Sequence, residues 1–247
     1  MNETIRLLNN HRSIRRYTGA GIPEEELTAI IQAAQMASSS SGVQAYSVIA
    51  VTDPTLQKTL GELCGNQPYV SACPLFLVWC ADLNRLETAV ELVRGKEEEV
   101  VQNTENFLIA TVDTALAAQN AAVAAESLGY GIVYIGGIRN RIAEVAELLG
   151  LPELVYPVFG MCLGHPAEDP ILRPRLPLRA VLHRNRYETA VHEQAIREYD
   201  AAYKQYMEDR TNGRANPTWS EAMAGKLSVP ARAHMKNFLQ EKGFRLE

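Results

Sequence analysis

Apolar and polar positions along the chain mark out helices alternating with strands. A short amphipathic run at Ile5, Leu7 and Leu8 comes first. After Pro23, the positions Leu27, Ile30, Ile31 and Ala34 recur at helical spacing, and Glu24, Glu25 and Glu26 stand at the positive end of the helix dipole. The polar run Ser38-Ser39-Ser40-Ser41-Gly42 stops this helix. Residues 45–51 read as a strand, ended by Asp53-Pro54, which opens a helix through Leu60 and Leu63; residues 65–69 form a polar loop. Residues 75–81 are apolar on both sides, which predicts a central strand covered on both faces. Helical segments from about Arg85, broken near Gly95 and Lys96, lead to the longest apolar stretch, residues 107–128. Asp113, Gln119, Asn120 and Glu126 interrupt that stretch and alanine dominates its second half. In a bilayer those polar groups would be costly, so a long, largely buried central helix is expected instead.

Beyond it, Gly129 to Gly137 reads as a turn, a short strand and a glycine pair. A helix over 140–149 stops at Gly150, and a strand over 155–163 stops at Gly164. From about Val191 the chain turns to charged helical segments with a break at Thr211-Asn212-Gly213. With few apolar residues of its own, this tail is expected to wrap over the main body or over a second subunit. The irregular spacing and the long helix place the chain in the α+β class, as one domain over 1–247 with 191–247 a helical excursion.

Composition narrows the function. With 247 residues and 47% apolar content, the chain can bury a full core without metal or disulfide support. A net charge of -5 speaks against a nucleic-acid partner. The four cysteines, 64, 73, 80 and 162, form no C-x-x-C pair and read as reduced core thiols, which suits a cytoplasmic protein. The N-terminus lacks the basic-then-apolar order of a signal peptide, and no membrane association is expected. The five histidines show no metal-ligand spacing, so no metal is expected. There is no G-x-S-x-G elbow, and Gly131 to Gly137 lacks the G-x-G-x-x-G spacing of a dinucleotide loop.

What remains are two arginine clusters, His11-Arg12-Ser13-Ile14-Arg15-Arg16-Tyr17 and Arg173-Pro174-Arg175. Either could be a solvated basic surface or an anion site, and two separate basic sites suit one phosphate-bearing cofactor. Arg16, on the other side of an extended segment from Arg15, is expected to be structural.

Together with Ser38 to Ser41, Gln67, Tyr134-Ile135-Gly136-Gly137, Gln119-Asn120 and Thr218-Trp219-Ser220, these clusters resemble the nitroreductase superfamily. The match is to its branch of NADPH-dependent flavin reductases and oxygen-insensitive nitroreductases, and it covers nearly the whole chain. The resemblance implies an FMN-binding α/β sandwich that forms an intertwined homodimer. Arg12 and Ser13, joined by Arg173 and Arg175, would hold the phosphate and ribityl chain, with His11 beside them. Arg15 would sit against the pyrimidine edge of the flavin, where negative charge gathers on reduction. Gln67 would read the polar edge of the ring, with Tyr69 flanking it. Ser39, Ser40 and Ser41 would come from the partner subunit, and the backbone of Tyr134, Ile135, Gly136 and Gly137 would approach the ring closely. The family usually carries lysine where this chain has Arg173.

The implied function is an FMN-dependent NAD(P)H oxidoreductase. Ping-pong exchange would carry hydride from NADPH to flavin N5 and on to free flavin, quinones or nitroaromatics. NADPH, with NADH as an alternative, is the implied cosubstrate, and Arg210, Arg214 and Arg232 are the candidates for its 2'-phosphate. Exposed surface charge is the competing reading of those three arginines. A non-catalytic flavin-binding protein, or an enzyme of the same fold with a different reaction, are the alternatives to the oxidoreductase.

Overall fold

The computed structural model describes residues 2–95 and 101–246, so the expected break at Gly95 and Lys96 lies in part outside the described residues. Asn2 caps α1 (Glu3–Asn9) by accepting the Ile5 N–H, and Pro23 precedes α2 (Glu24–Gln35), whose Ile30 and Ala34 are buried. After β1 (Tyr46–Val51), Asp53 accepts the Thr55 and Leu56 N–H groups and starts α3 (Pro54–Leu63). The short α4 (Pro68–Ala72) leads into β2 (Leu75–Asp82), which is buried along its whole length. Next come α5 (Asn84–Arg94), ended by Gly95 at φ 75°, and α6 (Thr104–Ser127), started by the Asn103 side chain. The strand β3 (Gly131–Ile135), α7 (Ile142–Leu148) and β4 (Val155–Gly164) complete the main body as far as Gly164.

The four strands form one antiparallel sheet in the order β1-β2-β4-β3. Period-two alternation splits β2 between two cores. Phe76, Val78 and Cys80 join Leu60, Ile135, Ile138, Ile142 and Cys162, whereas Leu75, Leu77 and Trp79 join Ile30, Ala34 and the alanines of α6. Five of those alanines, Ala117, Ala118, Ala121, Ala122 and Ala125, are fully buried, so α6 lies close against the sheet. The helix is not largely buried, however. Leu108, Val112 and Leu116, at i, i+4 and i+8, are 50%, 54% and 43% exposed. By length and composition alone α6 could cross a membrane, but one full side of it packs into a core.

Contacts divide the chain into two compact units, one running to Asp169 and resuming at Arg232, the other Pro170–Ala231. The tail thus separates at Pro170, earlier than the expected 191, and its end belongs to the first unit. The reason lies in Phe238, Leu239 and Phe244, buried apolar residues set among charged ones around α10 (Met235–Glu241). Phe244 packs edge-on against Tyr156 and Phe107, with ring centroids 5.3 and 5.7 Å away.

The second unit is organised by α8 (His192–Thr211), whose Ala195, Tyr199 and Tyr203 are buried at i, i+4 and i+8. Thr218 and Glu221 form a reciprocal capping box at the start of α9 (Trp219–Leu227). Trp219 meets Tyr199 edge-on at 5.6 Å, and Ser220 donates from both its N–H and its hydroxyl to Asp200. Thr218, Trp219 and Ser220 therefore fasten α9 to α8.

Candidate functional site

The basic segment lies along the outer edge of the sheet. Ser13 bridges Ile132 of β3 in parallel register, the Ile14 N–H donates to the Ile132 carbonyl at 2.9 Å, and Tyr17 pairs with Pro166 beyond β4. Glu168 clamps the segment from the far side. It accepts the Arg15 N–H at 2.6 Å, the Arg16 N–H at 3.1 Å and Arg16 Nε at 3.1 Å. Burial alone would raise the Glu168 carboxyl, but the donors from Arg15 and Arg16 outweigh it and hold it below the usual carboxylate range.

A lowered folded-state value stabilises the fold above the unfolded value and is lost as pH falls through the folded one. Glu168→Gln is therefore expected to cost about 1–3 kcal/mol near neutral pH. The gap from the parent protein should begin to narrow at about pH 4, where the unfolded carboxylate protonates, and close as pH falls through the lower folded value. Urea titrations at several pH values measure this, and a gap constant from pH 7 to 3 would contradict it.

The remaining expected residues of the first unit fall into two groups. In one, contacts run continuously from Arg15 to the glycine pair. The Arg15 guanidinium lies 5.9 Å from the centroid of the Tyr69 ring, and Tyr69 donates its hydroxyl to Gln67 Oε1. Gln67 Nε2 donates to the Cys64 carbonyl at 2.7 Å. At Gly137, a Cβ would stand 2.3 Å from that same carbonyl oxygen and 2.4 Å from Gln67 Nε2. Ile135 ends β3 and Gly136 opens the turn Gly136–Arg139. Tyr134, one residue earlier, is half-buried and turns its hydroxyl toward Gln119 at 3.4 Å. Arg12 donates to the Asn10 carbonyl and side chain at 3.4 and 3.0 Å. Its buried Nε has no hydrogen-bond partner among the described residues and stands 3.6 Å from the exposed Asp169.

The other group is the serine turn. Ser41 at φ 47°, Gly42 at φ 71° and Gln44 at φ 50° put three left-handed residues within four positions. The buried Asp113 of α6 holds this turn, accepting the Ser40 N–H at 3.1 Å and the Ala45 N–H at 3.3 Å. Ser39 Oγ accepts the Gln44 N–H. Among the described residues no hydrogen bond joins Ser39, Ser40 or Ser41 to the basic segment.

Within the second unit, Arg173 donates to the Tyr203 hydroxyl at 3.2 Å and its guanidinium lies over that ring, while Arg175 folds back onto the Arg173 carbonyl. Arg210 stands 6.0 Å from the Tyr206 centroid, and Arg214 caps the Thr211 carbonyl just past the left-handed Asn212. Arg232 belongs to the first unit, at φ 56°, with Nε donating to Asn140 Oδ1 at 3.0 Å.

Sequence reasoning noticed the polar residues of α6 without finding their use. Asp113 holds the serine turn, Gln119 meets Tyr134, Asn120 donates to the Ala33 carbonyl of α2, and Glu126 meets His11. Glu168 went unnoticed, since nothing local distinguishes it from any exposed glutamate.

The chain is similar to known proteins over nearly its full length. The description "Nitroreductase family" matches residues 8–165, and "Nitroreductase family, C-terminal domain" matches residues 173–247. An FMN reductase (NADPH) of Bacillus subtilis is 43% identical over 246 residues, covering 99% of each chain. An oxygen-insensitive NADPH nitroreductase of Salmonella typhimurium is 42% identical over 245 residues, again covering 99% of each. The solved NADPH:FMN oxidoreductase of Vibrio harveyi, complexed with NAD+, superposes with a TM-score of 0.89 at 42% identity, over 98% of this chain and 99% of that one. With both halves matched in order and the fold shared over nearly its full length, the chain belongs to the nitroreductase family.

Proposed function

We propose that this protein is an FMN-dependent NAD(P)H oxidoreductase that passes electrons to free flavin, quinones or nitroaromatics. The observation that carries the reading is the unbroken line of contacts from Arg15 through Tyr69 and Gln67 to Gly137, with the basic segment laid on the same strand that ends in the glycine pair. The residues fit a phosphate-bearing flavin. Arg12 keeps a buried N–H without a hydrogen-bond partner among the described residues, and the chain at Gly137 is too close to its surroundings for any side chain. Relatives named as FMN reductase and nitroreductase support the same chemistry.

When bound, FMN supplies a ring that accepts hydride from a reduced nicotinamide and returns electrons to an oxidised acceptor. The protein's part is to bind, orient and polarise. Arg12 and Ser13 hold the phosphate and ribityl chain, with His11 beside them. Arg15 contributes a fixed cation at the pyrimidine edge, and Gln67, kept in place by Tyr69 and the Cys64 carbonyl, presents its amide. The Ile135, Gly136 and Gly137 backbone would lie against the ring. Arg173 and Arg175 are further anion-binding residues, and Ser39, Ser40 and Ser41 serve the site of a second copy. No side chain acts as a nucleophile. The unpaired, buried thiols support a cytoplasmic location.

A visible spectrum of the purified protein, followed by addition of NADPH without oxygen, tests the reading. A yellow protein that bleaches, and that turns over with excess FMN or a nitroaromatic, is expected. A colourless protein that takes up no FMN would sink it. Arg210, Arg214 and Arg232 are the proposed cations for the NADPH 2'-phosphate. Arg210→Gln and Arg232→Gln should each raise KM for NADPH by about tenfold while leaving NADH within about twofold. Equal effects on the two cosubstrates would remove those residues from the assignment.

A further inference from the structure

His11 Nδ1 and Glu126 Oε1 stand 2.5 Å apart, although 115 positions separate them along the chain, and the glutamate side chain is only 12% exposed. Glu126 lies in the last turn of α6, where the carbonyl end of a 24-residue helix already concentrates negative charge. A carboxylate there is opposed by the helix and deprived of most of the water that would offset it. It also faces Tyr134, whose phenol is pushed up first by burial and then by Glu126. Among the described residues no lysine or arginine pairs with it, and its partner is the imidazole. His11 Nε2 makes no hydrogen bond to another described residue, and the ring immediately precedes Arg12 and Ser13.

We propose that Glu126 is a positioning residue for the flavin phosphate, holding the His11 ring through Nδ1 so that Nε2 is directed toward a phosphate oxygen. The inference rests on the flavin reading above. Glu126 does not touch the ligand; it sets the orientation of the group that does. Its position at the end of α6 couples the basic segment to the same helix that holds the serine turn through Asp113.

FMN and riboflavin differ only in the phosphate, which makes their comparison the test. The full-length protein, freed of flavin, is titrated with each while flavin fluorescence is followed. The parent protein should prefer FMN. Glu126→Gln should weaken FMN binding about tenfold and riboflavin less than about twofold, because one charge-assisted contact to the phosphate is lost. His11→Gln should do the same, and adding Glu126→Gln to it should weaken FMN binding no further. Glu126→Asp keeps the charge and should retain the preference for FMN, which decides the matter even if Glu126→Gln does not fold. Equal losses for both flavins, unchanged FMN binding, or an aspartate variant that loses the preference as His11→Gln does would overturn the proposal. A parent protein that binds neither flavin would overturn the flavin reading itself, and this inference with it.

Discussion

Gly137→Ala is expected to destabilise the protein by about 2–4 kcal/mol and to weaken FMN binding at least about tenfold. The added Cβ would stand 2.3 Å from the Cys64 carbonyl oxygen and 3.2 Å from its carbonyl carbon, so backbone would have to move. The other near atom, Gln67 Nε2, belongs to a side chain, but a fastened one. It donates to that same carbonyl, while Oε1 of the same amide accepts the Tyr69 hydroxyl. Relief at Gly137 therefore costs the hydrogen bonds that hold Gln67 in place and disturbs the neighbour of Arg15. Gly136→Ala is the control. Its Cβ would meet nothing nearer than an Arg139 guanidinium nitrogen at 3.5 Å, an ordinary contact, and its stability should stay within about 0.5 kcal/mol of the parent. Urea unfolding and FMN titration of the two variants decide this. Similar losses at both positions would mean that conformational freedom, not the close approach to Cys64, accounts for the glycine at 137.

The contrast between these neighbouring glycines shows where sequence reasoning stopped. The pair could be recognised as a place of close approach, but which glycine is crowded depends on where α3 ends, since Cys64 follows its last turn. The strand β2 was legible because a seven-residue apolar run with both alternating faces buried has few other uses. The length of α6 was legible for a similar reason. Its orientation was not, because alanine carries little bias toward burial and the exposed side is as apolar as the buried one. The end of the tail was hidden by charge: Phe238, Leu239 and Phe244 are three apolar residues in a stretch that otherwise reads as solvated.

The clamps were the least legible part of the candidate site. Asp113, Glu126 and Glu168 each act on a group 73, 115 or 153 positions away in sequence, and their partners are backbone N–H groups, a single imidazole and, for Glu168, the Arg16 side chain as well. No local spacing encodes such a pairing. The polar interruptions of α6 did carry a signal, since an ionised side chain on a helix that packs into a core must have a partner. That rule says a partner exists without naming it. Arg16 is the converse case. Its expected structural character agrees with a side chain turned to Glu168 and away from Tyr69, and both properties follow from the alternation of an extended segment.

For the homodimer proposed from the partner role of Ser39, Ser40 and Ser41, Val112→Glu and Leu116→Glu together are expected to leave a folded monomer with little FMN affinity. Leu108, Val112 and Leu116 form an apolar stripe about 12 Å long on α6, and the helix side opposite them is already occupied by the sheet core. Two-fold symmetry would place each stripe in the same interface, so the double substitution introduces four carboxylates there. Losing the apolar burial costs about 1.5–3 kcal/mol per side chain, and burying unpaired carboxylates adds to that. In the isolated chain the same positions are exposed, and glutamate is a good helix former, so folding should change by less than about 0.5 kcal/mol. Flavin binding should fall with the dimer, because Ser39, Ser40 and Ser41 are proposed to serve the partner's site and Asp113 holds their turn away from any hydrogen bond to the basic segment of the same chain. Sedimentation analysis gives the mass, circular dichroism the fold, and fluorescence titration the FMN affinity. A variant that remains dimeric would exclude this side of α6 from the interface, whereas a monomer that binds FMN as tightly as the parent would show that each chain builds its flavin site alone.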